Sequence, residues 1–457
     1  MLPPLVVEAK AREGEYIDPK KFDLYKVSRR IAELEKEYDV TYDPECPVPD
    51  DPTLPKSVFE AGLVLALDAG LLVIDEKRVV KFPEEEIKEA LRTANSELLL
   101  GRGPDARTLK CRSPGSKEKP FIFGGLAGTP TPLDYFYESA LSYASEPLID
   151  AVDHGSISQV GKLMVKNYAP SEALAAIEEL RALRRALENA GRPGMHVLAA
   201  ESSVTSVGSL AAMSTGLLRE GDAQLLPILN ELKTNYDQLT KAAVGLIRGV
   251  HGASLIDPII GGFARGAAGS AICSIAELLL AQVAYKASYH LIHPVHIRLQ
   301  ATSTRECIWV ESVVGQAGRY LGVPLVGDIW PAFGAGTREV FYEIAANTVA
   351  AIASGLNVLG PTPTAGSKPH GSGLEARFMA EVALGTAEKG LPPAGACDVV
   401  LDLLKTYEDR LRNPDPGKPF PELYDLKTIQ PRPEWIKLYE EAVKELRDLG
   451  VPIHSES

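Results

Sequence analysis

Apolar residues in the N-terminal part of the chain recur three and four positions apart, which is the spacing of an amphipathic helix. This spacing predicts helices over residues 18–38, 57–69 and 84–95. Residues 71–82 have the pattern of a small hairpin, and the proline- and acid-rich residues 39–55 have the composition of a loop. Residues 1–115 are therefore predicted to form an N-terminal helical cap.

From about residue 120 short apolar runs alternate with amphipathic helical segments. The predicted strands cover residues 121–123, 148–152, 197–200, 254–260, 295–298, 324–328 and 358–359. The predicted helices cover residues 172–190, 228–247, 271–291, 308–321 and 339–354, with a last one at 433–449. This alternation predicts a parallel sheet, and about eight repeats predict its closure into a (β/α)8 TIM barrel. The fold class is α/β, with the barrel and a C-terminal helical extension over residues 116–457.

Two carboxylates follow predicted strands, at the positions where a TIM barrel keeps its chemistry. Gly191 to Gly194 turn the chain, residues 197–200 form a small apolar strand, and Glu201 leaves that strand. Asp328 ends another predicted strand in the same way. Two carboxylates that converge at a barrel mouth can hold a cation, share a proton or orient an amine. Each could instead cap the N-terminus of a helix.

Three histidines, His290, His293 and His296, recur every third residue and suggest a metal site. Pro294 interrupts the run, so the first two belong to a helix end and the third to a strand, and a shared face cannot be assumed. His296 and Arg298 would lie on one face of their predicted strand. They would then line the barrel floor or a substrate pocket, and we expect no bound metal.

Charge and composition narrow the classes of function. The chain has 48 basic and 61 acidic residues, a net charge of -13, which argues against nucleic-acid binding and is compatible with a cationic substrate. The five cysteines are far apart and form no CxxC pair, so neither a disulfide framework nor a zinc-thiolate site is expected. Without a signal peptide or an apolar run of ~20 residues, we expect a cytoplasmic protein with no membrane partner.

Many separate segments of the chain, in the same order, resemble the monomethylamine methyltransferase family. The segments are Gly101-Arg102-Gly103, Gly124-Gly125, Gly191 to Met195 with Glu201, Asn230-Glu231-Leu232-Lys233, Gly261-Gly262, Pro294 to Arg298, Thr304-Arg305-Glu306, Gly373-Leu374-Glu375-Ala376-Arg377 and Tyr424-Asp425-Leu426-Lys427-Thr428. The resemblance runs from the cap to the last helix.

This resemblance implies a β/α barrel that assembles as a homo-oligomer, namely a hexamer. It also implies methyl transfer from a small methylated amine to the cob(I)alamin of a separate corrinoid protein. The Asp-x-His-x-x-Gly motif of proteins that carry a corrinoid themselves is absent, which fits this division of labour. Glu201 matches a carboxylate beside the family's pyrrolysine, and Asp328 falls where the family has a polar amide near the substrate.

The departures from the family concern the same site. Leu198 stands where the family has pyrrolysine, and leucine cannot form the nitrogen adduct proposed for the pyrrolysine imine. His196 and Ala199-Ala200 replace the family's Gly and Gly-Pro, and Leu255 replaces a second carboxylate. Trp330 offers a cation–π face for a larger N-methylated or quaternary amine, or it packs in the core. The residues predicted to bind substrate are Leu198, His196, Leu255, His296, Arg298 and Trp330.

The leading hypothesis is a corrinoid-dependent N-methyltransferase without pyrrolysine, in which Glu201 and Asp328 bind or protonate the amine. A second hypothesis is a non-catalytic paralogue that only binds a corrinoid protein or an amine. A third is a metal-dependent TIM-barrel hydrolase that uses His290, His293 or His296.

Overall fold

Eight parallel strands close into a barrel at the centre of the computed structural model, which describes residues 1–199 and 201–455. In chain order the strands are β1 (Ile122–Gly124), β2 (Ala151–Asp153), β3 (His196–Ala199), β4 (Ala223–Leu225), β5 (His251–Ile256), β6 (Tyr289–Ile292), β7 (Leu325–Asp328) and β8 (Asn357–Gly360). Each strand pairs with the next, and β8 pairs with β1 to close the ring. The predicted TIM barrel is confirmed.

A helix follows each strand and covers the outside of the barrel. These helices are α1 (Leu133–Ala144), α2 (Pro170–Asn189), α3 (Ser206–Ser214), α4 (Tyr236–Arg248), α5 (Ala267–Tyr285), α6 (Arg305–Leu321), α7 (Glu339–Ala353) and α8 (Gly373–Lys389). Two short strand pairs extend loops on this scaffold, Gln159–Val160 with Leu163–Met164 and Ile259–Ile260 with Val295–His296.

A hairpin from the N-terminal part of the chain fills the amino-terminal end of the barrel. Its strands are Glu97–Leu100 and Arg107–Lys110, and Leu100 and Leu109 join the apolar cluster inside the barrel. The Gly101 amide donates to the carbonyl of Gly221 at 3.0 Å, and the Arg102 amide donates to Gly194 at 2.7 Å. The hairpin therefore plugs the amino-terminal end of the barrel interior.

The cap precedes this hairpin and is attached to the barrel by both a strand and an ion pair. Its helical segments are Pro3–Glu13, Pro19–Lys21, Phe22–Ser28, Arg29–Glu37, Leu54–Ala69 and Glu84–Arg92, and its strands are Glu15–Tyr16, Leu71–Val73 and Arg78–Val80. Strand Lys233–Thr234, from the loop after β4, extends the cap sheet beside Leu71–Val73, and Lys233 pairs with Asp23 at 2.5 Å. The division at residue 115 stays a prediction.

The C-terminal extension packs outside the barrel, and its last helix agrees with the prediction. Its helices are Pro393–Tyr407, Phe420–Leu423 and Pro433–Asp448, and a small pair of strands, Tyr424–Asp425 and Gln430–Pro431, joins the last two. Trp435 of the last helix stacks on Phe341 of α7 at 5.0 Å between ring centroids.

The prediction of a helix over residues 271–291 was wrong at its end. Helix α5 stops at Tyr285, and the residues that follow form strand β6. Lys286 adopts the left-handed conformation (φ 53°) that ends the helix, a role usually given to glycine. With no glycine to mark the boundary, the apolar pattern runs on without a break.

The prediction that residues 295–298 form a barrel strand was also wrong. Only Val295–His296 is extended, and it pairs with Ile259–Ile260 outside the barrel. The predicted helix 228–247 starts later, at Tyr236, where the Asn235 side chain accepts from the Gln238 amide and caps the helix. Strand β4 was not predicted, because its middle residue is the polar Gln224 and the strand therefore lacks a continuous apolar run. The Gln224 side chain donates to the Lys241 carbonyl at 2.8 Å.

Helix α5 is long and apolar enough to cross a membrane by length and composition alone. In the fold, however, 89% of the apolar window is buried, and the helix packs against the cap helix Leu54–Ala69. Its hydrophobicity is therefore accounted for by contacts within the protein on both sides, with the cap and with the barrel.

The plug hairpin gives a test of the fold at Gly101. Its φ is +80°, and a Cβ there would lie 2.7 Å from the Gly194 carbonyl oxygen. Gly103 also has a positive φ (+56°), but a Cβ there would meet nothing within 4 Å. We expect Gly101→Ala to lower the free energy of unfolding by ~3 kcal/mol and Gly103→Ala by ~1 kcal/mol, measured by urea denaturation. Equal losses would show that the hairpin does not seal the barrel as described.

Candidate active site

Four carboxylates lie at the carboxyl ends of the barrel strands. Asp153 ends β2, Glu201 follows β3, Asp257 follows β5 and Asp328 ends β7. Side chains alternate along a strand, so Asp153 points inward with Ala151, and Asp328 points inward with Val326. Leu198 pairs with Asp153 in the sheet register and faces the same interior. We call this group of four carboxylates the acidic mouth.

Asp153 is as buried as Asp328, each being 3% exposed. The Oδ1 atom of Asp153 has no hydrogen-bond partner among the described residues. Burial raises the pKa of Asp153 well above its ordinary value, and the nearby charges of Glu201 and Asp328 raise it further. The carboxylates of Asp153, Glu201 and Asp328 therefore lie close enough for their charges to affect one another's pKa at this end of the barrel.

Glu201 is held at the mouth by its backbone. Glu179 of α2 accepts from the Glu201 amide at 3.1 Å and from the Ser202 amide at 2.7 Å. Burial raises the pKa of Glu201 to about 7, with Lys241 opposing the shift and Asp328 adding to it. The loop after β1 lies against this carboxylate, since a Cβ at Gly128 would be 3.3 Å from Glu201 Oε2.

Asp328 lies between an imidazole and an indole. Its Oδ2 is 3.0 Å from His293 Nδ1, and its Oδ1 accepts from Trp330 Nε1 at 2.8 Å. The rings of His293 and Trp330 meet edge to face at 4.6 Å between centroids. A Cβ at Gly366 would clash with the Trp330 ring, so a glycine is needed for this packing. The predicted tryptophan is therefore a half-buried part of the mouth, tied to a carboxylate.

Asp257 lies beside His293 and completes the acidic mouth. Burial raises the pKa of Asp257 to about 7, His293 opposes the shift, and Glu231 adds to it. Its Oδ1 atom has no hydrogen-bond partner among the described residues. The Asn230 side chain donates to the Asp257 backbone carbonyl, and its hydrogen bond with the Asp257 carboxyl opposes the rise in that group's pKa.

Three leucines border the interior next to the carboxylates. Leu198 is fully buried, while Leu225 and Leu255 are half-buried and pack against the apolar cluster inside the barrel. Leu198 and Leu255 were predicted from the sequence, and Leu225 was not. The site thus combines an apolar floor with carboxylates, which suits a small ion that carries alkyl groups.

His196 faces the interior but lies nearer the plugged end than Leu198. Its Nδ1 is 2.7 Å from the Gly221 carbonyl oxygen and its Nε2 is 3.3 Å from the Tyr289 hydroxyl. Burial lowers the pKa of His196 to about 3, so the imidazole is neutral. The structure therefore places His196 in the packed core of the barrel, away from the acidic mouth.

His296 and Arg298 lie in the loop after β6, where His296 pairs with the loop after β5, so they do not line the barrel floor; a place in the substrate pocket stays a prediction. His296 Nδ1 accepts from the Arg298 amide at 3.2 Å, and Arg298 is exposed. The cause is the wrongly predicted strand, since the barrel strand of this region is β6. Ala200, part of the predicted strand 197–200, lies outside the described residues.

The three histidines do not meet. His290 faces the outer helices, where it contacts the Ser254 hydroxyl and lies 3.1 Å from Gln282 Oε1. His293 faces the mouth, and His296 lies in the loop after β6. In residues 1–199 and 201–455, no group of three or more His, Cys, Asp or Glu side chains is arranged to hold a metal ion.

Sequence reasoning missed Asp153 and Asp257 as site residues, and it considered His293 only as a candidate metal ligand. Asp153 directly follows the predicted strand 148–152, so the rule that identified Glu201 and Asp328 applies to it as well. His293 was hidden because its strand was predicted as the end of a helix. Once β6 is placed, the alternation from Tyr289 and Leu291 puts His293 on the inner face.

A closed barrel with ionisable side chains gathered at the carboxyl ends of its strands is the arrangement of a TIM-barrel enzyme. Comparison with known proteins gives the class of this one. The family model described as monomethylamine methyltransferase MtmB matches residues 6–451. The chain belongs to the monomethylamine methyltransferase MtmB family, and it is a methyltransferase.

Relatives and solved structures agree over almost the whole length. Monomethylamine methyltransferase MtmB1 of Methanosarcina barkeri is 33% identical over 452 residues, covering 97% of this chain and 96% of the relative. MtmB of Methanosarcina mazei is 33% identical over 451 residues, with the same coverage. The crystal structure of M. barkeri MtmB and that of a hydroxylamine MtmB complex each superpose with a TM-score of 0.94 at 31% identity, covering 98% of both chains.

The acidic mouth gives a stability test at Asp153. Its pKa is raised in the folded protein, so the unfolded chain loses this proton first and stability falls as pH rises above about 4. Asp153→Asn removes the buried charge. We expect it to stabilise the fold by roughly 1 kcal/mol or more at pH 8 and by less at pH 5, measured as melting temperatures at both pH values.

Asp222→Asn is the matched control. Asp222 is also buried, but it pairs with Arg184, so the same substitution leaves a buried guanidinium without its partner and is expected to destabilise the fold. Destabilisation of both variants at pH 8 would show that Asp153 is satisfied in the fold.

Proposed function

We propose that this chain transfers a methyl group from a methylated amine to cobalt(I) of a corrinoid held by a separate protein, without pyrrolysine. The observation that carries the proposal is the acidic mouth beside Leu198, on a fold shared with monomethylamine methyltransferases. We further propose that the chain forms a homo-oligomer of six copies, as the family resemblance implies. We place this oligomer in the cytoplasm.

The chemistry requires a nitrogen that leaves as a neutral amine. Cobalt(I) supplies an electron pair to the methyl carbon, a cobalt–carbon bond forms, and the carbon–nitrogen bond breaks with its electron pair on nitrogen. If the amine is bound as a cation, the product amine is neutral and no proton has to move during the step. Nearby carboxylates favour the charged form of an amine.

Different residues of the acidic mouth would bind the charge and the alkyl groups of the amine. Glu201 and Asp328 hold the ammonium charge, and Leu198 and Leu255 offer apolar contact to the alkyl groups. Trp330 presents an aromatic ring next to Asp328, and cation–π contact with a ring is worth ~1 kcal/mol or more when desolvated. Binding therefore orients the methyl group and excludes water from it.

The corrinoid belongs to the partner and acts as the methyl acceptor. The chain lacks the Asp-x-His-x-x-Gly motif of corrinoid carriers, as expected for an enzyme that meets its acceptor on another protein. The plugged amino-terminal end leaves the carboxyl ends of the strands as the side for this encounter.

The proposal is tested by mixing the purified protein with a reduced corrinoid protein and a panel of mono-, di-, tri- and quaternary methylamines. We expect the cobalt(I) absorbance to decay with at least one amine. A monomethylamine methyltransferase with pyrrolysine, acting on the same corrinoid protein, serves as the positive control. No decay across the panel would favour the non-catalytic paralogue, which the leucine at position 198 supports.

Glu201→Gln tests the role of the carboxylate. We expect kcat/KM to fall by about 100-fold or more, since the charge that holds the ammonium ion is lost while the shape is kept. The control is Glu188→Gln, an exposed glutamate near the far end of α2, which should retain wild-type activity. Wild-type turnover in folded Glu201→Gln would refute the role.

A further inference from the structure

Two cysteines that are far apart in the sequence meet in the fold. The Cys397 thiol donates to Cys46 Sγ at 3.5 Å, although 351 positions separate the two residues. Cys46 lies in the loop between the cap helices Arg29–Glu37 and Leu54–Ala69, and Cys397 lies on the helix Pro393–Tyr407 of the C-terminal extension. The two sulfur atoms therefore form a contact between the cap and the C-terminal extension.

The loop that carries Cys46 is held against the outside of α6. On one side of Cys46 the Tyr42 ring meets the Trp309 ring edge to face, with 5.4 Å between centroids. On the other side the Gln316 side chain donates to the Pro49 carbonyl at 2.6 Å. Because the loop is bound on both sides, the position of Cys46 does not depend on the other thiol.

Arg305 joins this loop to the helix that carries Cys397. It lies at the start of α6, where its Nη1 atom donates to the Pro44 carbonyl at 2.6 Å. Its Nη2 atom is 2.7 Å from Glu408 Oε2, directly after the end of the Cys397 helix. The loop, α6 and the helix are therefore already connected when both cysteines are thiols.

We propose that Cys46 and Cys397 are a modification site, at which a small-molecule disulfide oxidises the two thiols to a disulfide that links the cap to the C-terminal extension. The sulfur atoms of a disulfide are about 2.05 Å apart, so the pair has to approach by roughly 1.5 Å, which side-chain rotation can supply. Neither cysteine belongs to the acidic mouth, so the linkage is independent of the proposed methyl transfer.

The oxidation proceeds by two thiol–disulfide exchanges. Cys46 is half-buried and Cys397 is only 8% exposed, so the oxidant reaches Cys46 first. The Cys46 thiolate attacks one sulfur of the oxidant, whose sulfur–sulfur bond breaks and releases a small thiol. The Cys397 thiolate then attacks Cys46 Sγ and releases the second small thiol. The two protein sulfurs are oxidised, the two sulfurs of the oxidant are reduced, and the two protons end on the small thiols.

The surroundings of Cys46 make this site resistant to casual oxidation. Burial, together with the contact with Cys397, raises the pKa of Cys46 to about 12, so little thiolate is present at neutral pH. In a reducing cytoplasm the pair therefore stays reduced, and it becomes linked when a disulfide oxidant accumulates.

The linkage is expected to stabilise the folded protein. It would close a loop of 351 positions, which includes all eight strands of the barrel. A crosslink that closes a long loop removes much of the conformational entropy of the unfolded chain. The junction around the two thiols already exists, so little of the native structure has to move.

Oxidation of the folded protein with oxidised glutathione tests the proposal. The protein is incubated at about pH 8.5, remaining thiols are alkylated, and peptides are mapped by mass spectrometry without reduction. We expect a peptide that joins Cys46 to Cys397 in most of the protein. The melting temperature should be higher by about 5 °C or more than that of the same protein kept in dithiothreitol.

The variants Cys46→Ala and Cys397→Ala should each lose both the linked peptide and the rise in melting temperature. Each variant is compared with its own reduced form, so a change in its basal stability does not affect the result. Cys111→Ala is the matched control, because Cys111 is also half-buried but lies beside the plug hairpin. It should keep the linked peptide and the rise.

Three results would overturn the proposal. The first is the absence of the linked peptide after oxidation. The second is a reaction that stops at a mixed disulfide between glutathione and Cys46, which would show that Cys397 cannot reach the modified sulfur. The third is a linked protein that melts at the same temperature as the reduced one.

Discussion

Buried glutamates on the outer helices hold the loops that shape the barrel mouth, and the site depends on them. Glu179 of α2 accepts from the amides of Glu201 and Ser202, and Glu343 of α7 accepts from the amides of Ala332 and Phe333 at 2.9 and 2.8 Å. Burial raises the pKa of Glu179 to about 8 and that of Glu343 to about 7, so each carboxylate is held at a cost in free energy. Backbone amides in the loops are satisfied in return, and the residues that the loops carry are fixed in place.

This arrangement fits the presence of carboxylate oxygens in the mouth that have no hydrogen-bond partner among the described residues, on Asp153, Glu201 and Asp257. The loop amides near Glu201 are already bound by Glu179, and the amides after Trp330 are already bound by Glu343. Asp153 Oδ1 and Asp257 Oδ1 are therefore left without a hydrogen-bond partner among the described residues, although His293 interacts electrostatically with Asp257. A barrel selected only for stability would pair or replace such groups. Their presence is typical of a site in which stability has been given up for binding.

The sequence predicted the barrel because its strand and helix periods differ and alternate clearly. It also predicted Glu201 and Asp328, since residues at strand ends converge in this fold whatever their separation in sequence. Trp330 was named on other grounds, as a cation–π face or a core residue. It could not place β6, because Lys286 ends a helix in a conformation that apolar patterning does not signal. Because of that error, the sequence did not place His293 on the inner face of the barrel. The same error wrongly placed His296 and Arg298 on that face. The glutamates that bind the loops could not be predicted for another reason, because a glutamate in an amphipathic helix is expected to be solvated. Only the fold shows that Glu179 and Glu343 are buried.

Leu198 changes what the rest of the mouth has to do. A residue that bonds covalently to an amine can bind it as a neutral molecule, whereas leucine offers only apolar contact. In the proposed methyl transfer, activation of the nitrogen would then come from its positive charge, which the protein would stabilise. Asp153 shares the sheet register of Leu198, and its charge adds to that of Glu201 and Asp328. In the function proposed above, the leucine at this position and the negative charge beside it would act together, with electrostatic stabilisation in place of a covalent bond.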